Sequence, residues 1–170
     1  LTLNGTGVSS NGALTNSGAS SSTYSGLITL GSDSTISTTN TGSISISNIG
    51  TITGAGYNLT LGGTGTTNSI LSIIGTTTGG VTVDATASTW TLSGNNTYTG
   101  TTTISAGTIK LGVSGSGDAT PLGSGASGTG TTVSDDDAAL DLNGYTLTAA
   151  EALTLNGTGV SSNGALTNSG

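Results

Sequence analysis

The chain has 170 residues, among them 31 Gly, 37 Thr, 26 Ser and 13 Asn, and only 5% are charged: eight acids against one base, Lys110, for a net charge of −7. With no His and no Cys there is no imidazole base, thiolate nucleophile or soft metal ligand, which excludes zinc sites, cysteine hydrolases and His-dependent triads. A lone cation also excludes binding to nucleic-acid phosphates, which takes several Lys or Arg to release counterions.

From the N-terminus onward the chain predicts very short strands. Apolar-polar-apolar triplets recur at Leu1-Thr2-Leu3, Ile28-Thr29-Leu30, Leu59-Thr60-Leu61, Val81-Thr82-Val83, Leu140-Asp141-Leu142 and Leu153-Thr154-Leu155. Each turns two aliphatic side chains inward and one polar side chain outward. Longer alternations lie between them, at Ser43-Ile44-Ser45-Ile46-Ser47 and Thr108-Ile109-Lys110-Leu111. Asn-Gly turns punctuate the series at Asn4-Gly5, Asn11-Gly12, Asn143-Gly144, Asn156-Gly157 and Asn163-Gly164. No window holds apolar residues at helical spacing, so no helix is expected. Short strands between frequent corners suit a coiled solenoid, whereas a sandwich or barrel wants longer ones.

Two Gly-rich stretches tempt a sharper reading. Gly123-Ser124-Gly125-Ala126-Ser127-Gly128 matches the dinucleotide fingerprint by letter, but no helix follows it, and a loop is expected. Gly62-Gly63-Thr64-Gly65-Thr66-Thr67 is similar to the start of a calcium-binding nonapeptide, yet Thr67 stands where the ligand Asp belongs. Asp135-Asp136-Asp137 is the one cluster suited to a hard cation, and Ala139 occupies the place of a third EF-hand ligand. The alternative for this run is a solvated corner, with Asp141 facing outward to extend it.

Residues 153–170 repeat residues 1–18 without one change, LTLNGTGVSSNGALTNSG. The period is therefore 152 residues: residues 1–152 are expected to be one full tandem unit of coils and 153–170 the start of the next. A start without Met and the lack of a signal peptide fit a piece cut from a longer array. With ~20 to 25 residues per coil and ~4.8 Å between coils, a unit would advance roughly 30 to 35 Å.

Leu, Ile and Val number only 17, 11 and 6, which raises disorder as a competing reading. Low charge, a single proline (Pro121) and abundant β-branched Thr oppose it. A solenoid also accounts for the composition. Aliphatic triplets feed a narrow core, Thr faces water, Gly and Asn turn the corners, and charge is scarce because like charges stacked at ~4.8 Å repel.

The run from Trp90 to Gly112, WTLSGNNTYTGTTTISAGTIKLG, closely resembles the autotransporter-associated β-strand repeat, also called the passenger-associated transport repeat. The resemblance implies an all-β, right-handed parallel β-helix, exported to the surface of a Gram-negative bacterium, with no catalytic residues. The rest of the chain looks like the Gly/Thr/Ser-rich repeats of giant passenger and adhesin proteins.

The resulting expectation is a structural segment of an exported surface fibre or adhesin: stalk, spacer or filament body, not an enzyme. Open coil edges at both ends predict homotypic end-to-end stacking or contact with adjacent tandem units. Glycans or other cell surfaces are the alternative partners; no nucleic acid, no cofactor and no membrane-spanning segment is expected. No catalytic residue is assigned, and the only metal candidates are Asp135, Asp136 and Asp137. Trp90, Tyr24, Tyr57, Tyr98 and Tyr145 offer either a sugar-stacking platform or shielding for core edges, and their scatter favours shielding. An ice-binding face wants paired Thr in each strand, and most triplets supply one. A polysaccharide-degrading β-helix would need a carboxylate pair from Asp135, Asp136, Asp137 and Asp141, without Arg and with only Lys110 nearby. Functional amyloid is less suited to a unit of this length than a solenoid coiled from one chain.

Overall fold

A computed structural model describes all 170 residues. The chain winds into a parallel β-solenoid with no α-helix, and most of its strands belong to one 13-stranded sheet. A coil has three sides, here called the first, second and third faces; the first and second carry a strand in every coil, the third in the four lowest. On the first face, successive coils stack Leu14, Ile36, Leu61, Val83, Ile104, Val133 and Leu155 directly over one another. On the second face Asn68, Trp90, Ile109, Leu140 and Leu166 form the corresponding ladder. On the third face Leu3 lies under Leu30, and Ile52 under Ile74.

The triplets do what their alternation predicts. Ile28, Leu30, Leu59, Leu61, Val81 and Val83 are all buried, and they belong to a single cluster of 25 buried residues that fills the solenoid. Parallel neighbours satisfy the main chain, so the narrow core needs few aliphatic residues per coil. Only the ends depart from the pattern: Leu1 is 53% and Leu155 is 42% exposed, because each lies in a terminal coil with one bare side.

Strands are longer where they run around a corner. Thr29–Thr38 passes from the third face to the first, while Val81–Leu92 and Thr102–Leu111 pass from the first to the second. Register breaks at these bends, between Leu3 and Gly5 and between Val83 and Thr89, let the chain turn without ending its pairing. The widest coil, between Ile104 and Val133, contains the antiparallel hairpin of Ala119–Thr120 with Gly123–Ser124. The fingerprint-like Gly123–Gly128 segment therefore begins in a hairpin strand and has no helix after it.

Two assignments of residue type to place are corrected by the structure. Asn was expected to serve corners through positive φ, yet Asn143 alone among the asparagines adopts it. Asn16, Asn68 and Asn96 are instead buried, with their amides bonded to main-chain groups of the corners. Thr was expected outside, as most of it is, but Thr38, Thr76, Thr102, Thr120 and Thr131 are exceptions and are buried. Their hydroxyls are paired inside, as Thr102 to the Leu122 carbonyl at 2.8 Å and Thr120 to that of Gly123 at 2.9 Å, which offsets the cost of burying them.

Candidate functional site

The middle of the rod, residues 87–112, closes one coil and opens the next, and it holds the run from Trp90 to Gly112 that carries the resemblance. Ala87 and Gly107 mark its corners with φ of 57° and 81°. At Gly107 a Cβ would stand 2.1 Å from the Ala85 carbonyl oxygen, so the corner requires glycine for space as well as for conformation. Trp90 is wholly buried in the second-face ladder between Asn68 and Ile109, and its indole N–H has no partner. Beneath it, Asn68 accepts the Ile44 N–H at 2.9 Å and donates to the Gly65 carbonyl at 3.1 Å and the Ser88 hydroxyl at 3.0 Å.

Tyr98 is likewise sealed inside. Its hydroxyl lies 2.6 Å from that of Thr102, whose own proton goes to the Leu122 carbonyl, so Tyr98 donates. Burial pushes the phenol well above its ordinary range; the Thr102 bond opposes this and the charge of Glu151 adds to it. Asn96 accepts the Ile74 N–H at 2.7 Å and donates to the Pro121 carbonyl at 2.6 Å, tying three coils together. Sequence reasoning missed these inward amides. Nothing in an Asn letter separates a corner that needs positive φ from one whose backbone needs a partner.

The acidic run does not converge. No group of three or more acidic side chains comes together to hold a metal ion. Asp135 accepts the N–H of Asp136 at 2.7 Å, and Asp136 accepts the N–H of Thr158 at 2.8 Å in the coil above. Asp141 does lie on the outer side of its strand, but the last coil covers it. It pairs with Lys110 at 3.8 Å and accepts the Ser169 hydroxyl at 2.6 Å and the Asn143 N–H at 2.9 Å. Burial raises its carboxyl, and the bonds from Ser169 and Asn143 with the Lys110 charge outweigh that and hold it below the ordinary range. Any carboxylate pair built on Asp141 would have to break this network.

The outward surfaces are ladders of hydroxyls. Thr35, Thr60, Thr82, Thr103, Thr132 and Thr154 stack in one unbroken column on the first face. On the second face Thr67, Thr89 and Thr108 line a shallow groove that ends at the Lys110–Asp141 pair, under Val160 and Asn163 of the last corner. The aromatic side chains do not assemble beside either ladder. Trp90 and Tyr98 are in the core, Tyr24 packs against it, and only Tyr57 and Tyr145 are exposed, at 38% and 39%.

The remaining unpartnered surfaces are the two ends of the rod. The strands Leu153–Leu155 and Leu166–Thr167 pair with the coil below and have no coil above, leaving a bare strand edge with Leu155 and Leu166 at 42% and 39% exposure.

A parallel solenoid with a continuous core, stacked corners and hydroxyl-bearing faces is the architecture of a repeat protein. Residues 87–111 match the passenger-associated-transport-repeat family, in agreement with the resemblance read from Trp90 to Gly112. No curated protein and no solved structure matches the chain. No helix is long and apolar enough to cross a membrane.

Proposed function

We propose that the chain is a structural segment of an exported bacterial surface protein, a stalk, spacer or filament body. Residues 1–152 form one unit of the rod and residues 153–170 begin the next. The observation that carries this reading is the passenger-associated transport repeat lying within a parallel solenoid whose buried polar side chains bond one coil to the next. Its place is the outside of a Gram-negative cell. A rod held by main-chain ladders needs no disulfide, and a surface with little charge stacks without repulsion. Antibodies raised against the 170-residue chain should label intact cells of the source bacterium; label that appears only after permeabilisation would reject the export.

The bare coil edges are the contact surface for adjoining units, and separate chains should associate through them at high concentration. Sedimentation measures this, and a strictly monomeric chain up to millimolar concentration counts against it. An adhesive surface is the second reading, favoured by the unbroken threonine column on the first face. A glycan array separates the two, since a passive stalk retains no sugar. Release of reducing sugar from polysaccharide would overturn both in favour of an enzyme.

A further inference from the structure

The two identical eighteen-residue segments do not occupy the same place in the coil. Leu3 is on the third face, under Leu30, and Leu14 is on the first face, under Ile36. Their counterparts Leu155 and Leu166 are on the first face, above Val133, and on the second face, above Leu140. One segment, met twice, has advanced by one face.

Its shape is the same in both places. Ser9 and Ser161 have φ of 53° and 54°, Ser10 and Ser162 59° and 58°, and Gly12 and Gly164 both 107°. Only the partners differ. The first copy uses its upper edge: the Ala13 N–H donates to the Thr35 carbonyl at 2.8 Å, and the Leu1 carbonyl accepts from Thr29 at 2.8 Å. The second copy uses its lower edge, where the Ala165 carbonyl accepts from Leu140 at 2.9 Å and the Asn156 N–H donates to Val133 at 3.0 Å. Ala13 and Ala165 are the same residue of the repeat, so one conformer can satisfy both sets of bonds.

We propose that residues 153–170 are a docking surface for a further copy of this chain's own unit, which seats through its residues 28–38 and is turned by one face relative to the unit below. This rests on the tandem-rod reading and adds to it the register and the turn. The occupant is fixed by identity: whatever segment lies on Leu3 and Leu14 also fits Leu155 and Leu166. The core supports it. Leu3, capped by Leu30, is 2% exposed, whereas Leu155, with nothing above it, is 42% exposed. The surface supports it too. Thr154 corresponds to Thr2, which pairs with Thr29, and Thr29 bridges to Thr53. The threonine column of the first face would therefore run on without a break into the third-face threonines of the next unit.

Six ladder steps separate Leu14 from Leu155. At ~4.8 Å per step each unit rises about 30 Å, and a three-sided coil returns a given face to the same side after three units, about 90 Å.

The test uses the 170-residue chain extended by five further copies of residues 19–170. The natural chain contains no Cys, and Ile49 is 80% exposed, so Ile49→Cys gives one accessible thiol per unit for a gold-maleimide label. Electron cryo-microscopy should find an unbroken rod with labels at three positions around it, every third label in line. Helical reconstruction of the unlabelled rod should return the same one-third turn and serves if the label disturbs folding. Labels in a single row about 30 Å apart would overturn the turn and leave the rod reading standing; separate beads joined by gaps would overturn both. The pair Leu155→Asp and Leu166→Asp should leave the melting of the 170-residue chain nearly unchanged and break the extended rod at every joint; an intact rod would overturn the docking.

Discussion

Gly107 concentrates what a corner asks of a residue: a left-handed φ of 81° and a backbone oxygen where a side chain would begin. Gly107→Ala should destabilise the chain by more than about 1 kcal/mol, because both the conformation and the contact oppose a methyl group. Thermal melting followed by circular dichroism measures it, and an unchanged midpoint would show that the corner can relax. Ionisable residues act at the same scale. Burial raises the Glu151 carboxyl; the hydrogen bond from Thr131 opposes this and the charge of Asp118 adds to it. Its folded form keeps a proton that the unfolded chain has released, so stability declines as pH rises from the ordinary glutamate range near ~4.3 through the raised folded value. Asp141, held low, works in the opposite direction: its contribution is complete above the ordinary aspartate range near ~3.9 and is lost as pH falls through its lowered folded value. The melting temperature should therefore peak in mild acid. Glu151→Gln keeps the acceptor for Thr131, raises the midpoint at neutral pH and flattens the decline on that side; a profile identical to the parent chain would dismiss this role.

At the level of elements, the strands of three to five residues inside the rod persist because coils above and below both hold them, and because buried amides close the corners between them. Asn68 holds Ile44 below it, and through Ser88 it holds the coil that carries Trp90. Asn68→Ala leaves the buried Ile44 N–H without its acceptor and should cost about 1–3 kcal/mol. Leu61→Ala, which empties one rung of the first-face column, should cost about 2–5 kcal/mol. Urea denaturation compares the two. If the asparagine change is silent while the leucine change is not, the corners are held by packing alone.

In the whole molecule the strands of each coil of the main sheet pair only with those of adjacent coils, so order should be lost from the ends inward. The single tryptophan, Trp90, is fully buried in the middle coils and reports on them alone, whereas circular dichroism averages every coil. On heating, loss of β signal should precede the fluorescence change of Trp90. Coincident transitions would mean that the seven levels of the first face melt as one unit. Adding further units should raise the midpoint, since the two bare ends then make up a smaller share of the rod.

Alternation, turn dipeptides and the exact internal repeat pointed from sequence to a coiled solenoid built of short strands, because period-two burial and corner chemistry are local properties of the chain; the parallel arrangement was implied by the family resemblance. The run from Trp90 to Gly112 likewise carried its family resemblance in consecutive residues. Which polar residues turn inward was decided only in three dimensions: Asn68, Asn96 and Thr102 are buried because a carbonyl or N–H from another coil lies within reach, and that partner is 20 to 24 residues away in the chain. Asp141 was readable as outward from its place between Leu140 and Leu142, but its enclosure by Lys110 and Ser169 depends on which strands are stacked beside it. The same holds for the repeat. Identical letters at 1–18 and 153–170 fix one local shape, while the face each copy occupies is set by how many residues the intervening corners consume, a sum over the whole winding that no single segment records.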